Sequence, residues 1–197
     1  MLLLQRHGQI KANRQGLWHG STDSPLTWLG RRQARRTARR LTRRQPPVEA
    51  IVTSPLQRCR ATADAAARAL GLTVSEHHDL REMDLGEWEG ESFEALQRER
   101  GLFTTLATDG DFFAPGGESL NAVADRVVAA LHDIHAAQPE AVTLVVGHGV
   151  AFGAAVATLL DGRATAWSDY RFQNCSLTQL HLEPTPHVDV FNEFAHL

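Results

Sequence analysis

Two histidines and several arginines of this 197-residue chain stand where an apolar run gives way to glycine or to a helical pattern. The opening residues run into Arg6-His7-Gly8, a later run ends in Gly147-His148-Gly149, and a third is followed by Arg58 and Arg60. A neutral imidazole can attack phosphorus in line with a leaving oxygen and form a phosphohistidine. Arginine forks hold the transferred group and stabilise its spread negative charge. Glycine lets backbone N–H groups approach an anion closely, and a helix starting near residue 150 adds its positive end. An alkoxide leaves badly without a proton, so a proton donor must stand nearby. The segment Leu80-Arg81-Glu82-Met83-Asp84-Leu85-Gly86-Glu87-Trp88-Glu89-Gly90 offers four candidate carboxyl groups: Glu82, Asp84, Glu87 and Glu89.

Bringing such groups together is the task of the elements that carry them. MLLLQ at 1–5, VEAIVT at 48–53 and VTLVV at 142–146 read as buried strands. A weaker strand is predicted at 73–77, and 176–182 with 187–191 alternate as a terminal hairpin or neighbouring edge strands. Helices are predicted between them. Residues 118–138 carry Leu120, Val123, Val127, Leu131 and Ile134 at spacings of three and four. Ser54-Pro55 reads as an N-cap with proline at the first helical position, opening a helix that Gly71 ends. Further helices are predicted at 150–161 and at 27–45, the latter stopping at Pro46-Pro47. The alternation predicts an α/β fold with a largely parallel, helix-covered sheet, whose ligands gather at the carboxyl ends of the strands. The stretch 84–117, rich in Gly, Phe and acidic residues, is expected to be the least regular part of a single 1–197 domain, a cap-like excursion over one end of the sheet.

Composition narrows the class. With 43% hydrophobic and 22% charged residues the chain reads as globular, and its net charge of -3 lacks the basic excess of a nucleic-acid binder. Basicity is local: Arg31, Arg32, Arg35, Arg36, Arg39, Arg40, Arg43 and Arg44 share one helix, which reads as a solvated face, with an anionic partner as the alternative. Two cysteines, Cys59 and Cys175, fit a reducing compartment, and neither a signal peptide nor a membrane span is apparent, so a soluble cytoplasmic protein is expected. Neither cysteine has an arginine six residues on, and neither GxxxxGK[ST] nor GxSxG occurs. His132 and His135 lie three apart on a helix, but no third ligand block accompanies them, so no metal is expected.

Seven ordered blocks carry a family resemblance: RHGQIKAN at 6–13, HGSTDSPLTWLG at 19–30, SPLQRCRATA at 54–63, LREMDLGEWEG at 80–90, PGGES at 115–119, GHG at 147–149 and NCSLTQL at 174–180. Through them the chain resembles the histidine phosphatase superfamily, in its phosphoglycerate mutase-like branch. The resemblance implies that His7 is the nucleophile and that Glu82 is the proton donor, later the base that activates water. It implies a phosphate pocket completed by Arg6, Arg58 and His148, a further phosphate contact at Asn13, and His19, Gly20, Arg60 and Gly149 on the substrate side. It also implies a three-layer α/β/α fold with a smaller subdomain, no cofactor, and a homodimer as a common state. Gln9, Ile10 and Cys59 depart from the commonest pattern and bear on substrate choice.

The expected function is hydrolysis of a small-molecule phosphate monoester, with no nucleic-acid or membrane partner. The first alternative is a cofactor-dependent phosphoglycerate mutase. That isomerase carries a longer segment before the second histidine, with paired arginines that grip the substrate carboxylate, and Arg98 and Arg100 do not reproduce them. The second is a catalytically inactive binding module, which usually loses the nucleophile or an arginine. Phe93, Phe103, Phe112 and Phe113 read either as packing residues or as part of a substrate mouth.

Overall fold

In the computed structural model, which describes residues 1–197, the opening apolar run is strand β1 (Leu2–Arg6). A short helix α1 (Lys11–Gln15) and the longer α2 (Trp28–Leu41) lead to β2 (Ala50–Thr53), α3 (Gln57–Leu70) and β3 (Val74–Glu76). Helices α4 (Phe93–Arg100), α5 (Leu102–Leu106) and α6 (Leu120–Ala137) precede β4 (Thr143–Gly147). Helix α7 (Gly149–Asp161) and the hairpin β5 (Leu177–His181) and β6 (His187–Glu193) complete the chain.

The six strands form one sheet in the order β3-β2-β4-β1-β5-β6. The first four are parallel, while β5 runs antiparallel to β1 and β6 to β5. Successive side chains on a strand face opposite sides. Leu2 and Leu4 of β1 accordingly join the core that includes α6 and α7, while Leu3 joins the one that includes Leu41 and Ala63 of α2 and α3. Helices thus cover both faces, as the α/β expectation requires.

The register of β1 on β4 pairs Arg6 with Gly147. The next residues, His7 and His148, therefore emerge side by side at the carboxyl ends of neighbouring strands. Helix α2 packs on the turn after β1 through two glycines. A Cβ on Gly8 would lie 2.6 Å from the Gly30 carbonyl oxygen, and a Cβ on Gly30 would strike the backbone of Gln9.

Two local expectations are corrected. Ser54 is not the N-cap of α3; Leu56 holds that position, and the Ser54 hydroxyl is engaged by an imidazole instead. Helix α2 ends at Leu41, short of residue 45. The stretch 84–117 holds two short helices among its turns. Ser92 caps α4 by accepting from the Ala95 N–H at 3.1 Å, and Gly101 at φ 63° turns the chain into α5. Leu96, Leu102, Leu106 and Ala114 are buried in the same core as Leu2 and Leu4, so this stretch is anchored in the body of the sheet.

Candidate active site

Burial and one hydrogen bond settle the state of His7. Its ring is 3% exposed, and Nδ1 lies 2.8 Å from the Gly8 carbonyl oxygen. A carbonyl can only accept, so the proton sits on Nδ1 and Nε2 keeps its lone pair. Burial, reinforced by the positive charges of Arg6 and Arg58, holds this imidazole well below the usual histidine pKa. His7 is a neutral ring with a free Nε2, the form a nucleophile needs. It lines a cavity of about 680 Å³ together with Arg6, Asn13, His19, Glu82 and Gly149.

Several groups in this cavity can hold an anion. Arg6 spends one Nη1 hydrogen on the Phe172 carbonyl at 2.7 Å, and its buried Nε has no partner. Gly149 lets that guanidinium lie against the start of α7, since a Cβ there would sit 3.3 Å from Nε. The N–H of Gly149 is the first of the helix and has no carbonyl one turn earlier to bond. Asn13 Oδ1 accepts from the Ile10 N–H at 3.1 Å and from Asn174 Nδ2 at 3.2 Å, which leaves its own amide hydrogens for the cavity. Asn174 also donates to the His7 carbonyl at 2.9 Å, tying β1's exit to the approach to β5. His19 Nδ1 is buried without a partner.

Glu82 faces His7 from the N-terminus of α7. The N–H groups of Val150 and Ala151 donate to its two carboxylate oxygens at 3.1 and 2.8 Å, and that of Met83 adds a third bond at 3.0 Å. The positive end of the helix suits this placement. Of the four candidate carboxyl groups only Glu82 lines the cavity. Glu89 accepts from the N–H groups of Gly20, Ser21, Thr22 and Leu85 at 3.0 to 3.3 Å, and Asp84 accepts from that of Gly86 at 2.8 Å.

Arg58 and His148 form a layer behind this wall and do not line the cavity. Arg58, fully buried, donates through Nη1 to the Thr22 carbonyl at 2.8 Å and through Nη2 to that of Gly20 at 2.7 Å. Its Nε donates to His148 Nδ1 at 3.3 Å. His148 Nε2 therefore carries the proton and donates to Ser54 Oγ at 2.8 Å. Burial and the Arg58 charge hold His148, like His7, well below the ordinary histidine range. The two rings lie 5.3 Å apart in an edge arrangement.

Two residues assigned to the substrate side are not there. Arg60 pairs with Asp64 and Glu76 on the outside of α3. It follows Arg58 by two positions, about 200° around a helix, so the two side chains cannot face the same way. Gly20 serves packing: a Cβ there would strike the Met83 carbonyl, and its own carbonyl receives Arg58. Asn174 is visible in the sequence only as a member of the block at 174–180, and Ser54 only as a block member and an expected helix cap. Arg126 gave no signal, yet it donates to the carbonyls of Asp79, Arg81 and Glu82 at 2.7 to 3.1 Å and is paired with Glu118 at 2.8 Å.

The outer wall is aromatic. Trp18, Phe93, Phe103 and Trp167 stand in sequence with ring centroids 5.9, 6.1 and 6.3 Å apart, and Tyr170 and Phe172 continue the lining. Phe93 and Phe103 thus belong to the mouth, whereas Phe112 packs on Trp88 and Phe113 is exposed. Cys59 and Cys175 are both buried; burial pushes the Cys59 thiol up and that of Cys175 to about 12, which leaves neither as a rival nucleophile.

The family model of the histidine phosphatase superfamily (branch 1) matches residues 2–192. A protein of Salmonella choleraesuis named probable phosphoglycerate mutase GpmB is 34% identical over 179 residues, which cover 90% of this chain and 82% of that protein. The mycobacterial glucosyl-3-phosphoglycerate phosphatase solved with VO3 is 32% identical, with a TM-score of 0.86 over 97% of this chain and 98% of that one. The Entamoeba histolytica phosphoserine phosphatase solved with 3-phosphoglyceric acid is 27% identical, with a TM-score of 0.89 over 100% and 98%. No helix is long and apolar enough to cross a membrane.

Proposed function

This chain belongs to the histidine phosphatase superfamily, and from that premise we propose that it hydrolyses small organic phosphate monoesters through a phosphohistidine at His7. The observation that carries this reading is the neutral His7 ring with Nε2 free, in one cavity with Arg6 and Glu82. Arg6, the Asn13 amide and the Gly149 N–H hold the non-bridging oxygens. Nε2 forms a bond to phosphorus as the ester P–O bond breaks, and Glu82 gives its proton to the departing alkoxide. In the second step the Glu82 carboxylate takes a proton from water, whose oxygen displaces Nε2 to release inorganic phosphate. Arg58 and His148 act from behind: the Arg58 charge adds to burial and Arg6 in keeping His7 neutral, and adds its field to the transferred group.

Water as acceptor is supported by what the cavity lacks. Arg98 is spent on Glu94 and Glu99 at 2.9 and 2.8 Å, Arg100 on Glu91 at 3.2 Å, and neither lines the cavity. The aromatic wall suits an organic body, and Arg171 on the same lining is a single cation rather than the arginine pair of the mutases. The mutase name of the 34% relative makes isomerisation the alternative. The buried free thiols suit a reducing, cytoplasmic setting.

Rapid quenching with labelled substrate is expected to trap an acid-labile, base-stable phosphoryl group on the wild type and none on His7→Ala. An unchanged label in His7→Ala refutes the assignment. With 3-phosphoglycerate and bisphosphorylated primer, phosphate release with little 2-phosphoglycerate is expected; efficient primed interconversion makes the protein a mutase. Failure to turn over any aryl phosphate makes it an inactive module. Turnover is also expected to survive exhaustive chelation.

A further inference from the structure

The outer ribbon of the sheet carries a second group of ligating side chains, remote from the cleft. The β5–β6 register places His181 across from His187. Asp189, two residues beyond His187, shares its face, because strand side chains alternate. Leu180 and Leu182 on either side of His181 are buried in the core, so His181 points to the same outer face. The ligand atoms of the three residues all lie within 4.8 Å of one another.

Their contacts are those of converging ligands. Asp189 Oδ2 is 3.0 Å from His181 Nε2, and Oδ1 is 3.8 Å from His187 Nε2. The shorter contact is not an aligned hydrogen bond, since His181 Nε2 is buried without a hydrogen-bond partner. His187 Nδ1 donates to the Thr185 carbonyl at 2.9 Å, so its Nε2 keeps the lone pair.

We propose that His181, His187 and Asp189 form a site for a divalent transition-metal ion, with zinc the best fit to two imidazoles and one carboxylate. At Zn–N and Zn–O bonds of about 2.0–2.2 Å, tetrahedral ligands stand roughly 3.3–3.5 Å apart, a spacing that the observed contacts of 3.0 and 3.8 Å bracket. The two rings stack nearly parallel at 4.7 Å, so the exposed His187 ring rotates to turn its lone pair onto the ion. Water takes the fourth position. The site lies at the opposite end of the sheet from His7. Strand β5 runs against β1 with Leu180 across from Leu2, so His181 stands about 16 Å along the strand direction from Arg6. The ion therefore clips β6 to β5 and takes no part in phosphoryl transfer.

Titration of the chelator-stripped protein with zinc chloride against a chromophoric zinc indicator, with thermal unfolding in parallel, tests the site. One zinc per chain is expected. At free zinc 100-fold above the dissociation constant the folding equilibrium shifts about 100-fold, which raises the unfolding temperature by roughly 5–10 °C. His187→Ala and Asp189→Asn are expected to lose both effects, while turnover of an aryl phosphate is unchanged by one equivalent of zinc. Absence of uptake by the wild type overturns the proposal. So does uptake that persists unchanged in His187→Ala, or inhibition that tracks occupancy and survives that substitution, which places the ion in the His7 cleft.

Discussion

Glu82 carries opposing demands within one side chain. Its carboxylate accepts three backbone N–H bonds, yet the first step of the proposed mechanism requires a proton on it. Acid catalysis matters most for a poor leaving group. Glu82→Gln is expected to lose about 10²–10⁴-fold in the single-turnover rate of phosphoenzyme formation from an alkyl phosphate, and far less from a nitrophenyl phosphate. Equal losses on both substrates mean that Glu82 acts through binding. A near-normal variant, with the leaving-group effect in Asp84 or Glu87 substitutions, names another carboxylate. His7 adds a pH signature. Since its pKa is held well below 6.5, the acid limb of kcat/KM owed to the nucleophile is expected below pH 6.5, and a limb at or above 6.5 contradicts the buried neutral ring. At this scale the sequence was most legible through its ordered family blocks, which set His7 and Glu82 apart from the other histidines and carboxylates; both line one cavity. It was least legible for Arg60, where proximity to Arg58 in the chain hides opposite directions on a helix.

Between elements, carboxylates spent on backbone do the positioning. Glu89, after the 3-10 turn Gly86–Trp88, gathers the N–H groups of Gly20, Ser21 and Thr22, and the carbonyls of Gly20 and Thr22 in turn hold Arg58. Arg126 on α6 (Leu120–Ala137) holds the carbonyl of Glu82 and those on its approach. Hydrogen bonds to charged groups contribute about 1.5–3 kcal/mol. Glu89→Gln turns an amide NH₂ onto some of those N–H groups, so a loss of about 1.5–3 kcal/mol in urea unfolding is expected, together with a fall in kcat/KM as Arg58 loosens. Lost stability with unchanged kcat/KM separates the loop from catalysis. Such links were not readable beforehand, because they join residues 36 to 69 apart through main-chain atoms that carry no residue signature. Strands and long helices were readable from periodicity, whereas α4 (Phe93–Arg100) and α5 (Leu102–Leu106) are too short to complete an apolar stripe. The His181–His187–Asp189 group was equally hidden, since it depends on hairpin register rather than on spacing.

For the whole molecule, placing two neutral histidines inside an arginine-rich layer sets how stability depends on pH. The α/β class followed from alternating elements, but the sheet order that sets β1 beside β4, and so His7 beside His148, is a long-range outcome that local pattern does not contain. Both rings are held well below the ordinary histidine pKa, chiefly by burial and then by neighbouring arginines. In the unfolded chain each titrates near 6.5. Above that value neither state binds the protons, and the two groups leave stability flat. Below it the unfolded chain takes up two protons that the native state refuses, so stability present above pH 6.5 is lost as the pH falls. Each histidine contributes a limiting slope of about 1.4 kcal/mol per pH unit, a steep fall against a typical total of about 5–15 kcal/mol. Urea unfolding between pH 5.5 and 7.5, above the range where carboxylates titrate, reads the histidines together, and comparison with His148→Asn separates the share of the buried pair from that of the other eight. The expected result is a plateau down to about pH 7 followed by a decline, with His148→Asn showing about half the wild-type slope at the acid end. A wild type equally stable at both ends means that the rings accept protons in the folded protein. His7 is then a cation at pH 5.5, and the lone pair required for attack on phosphorus is absent there.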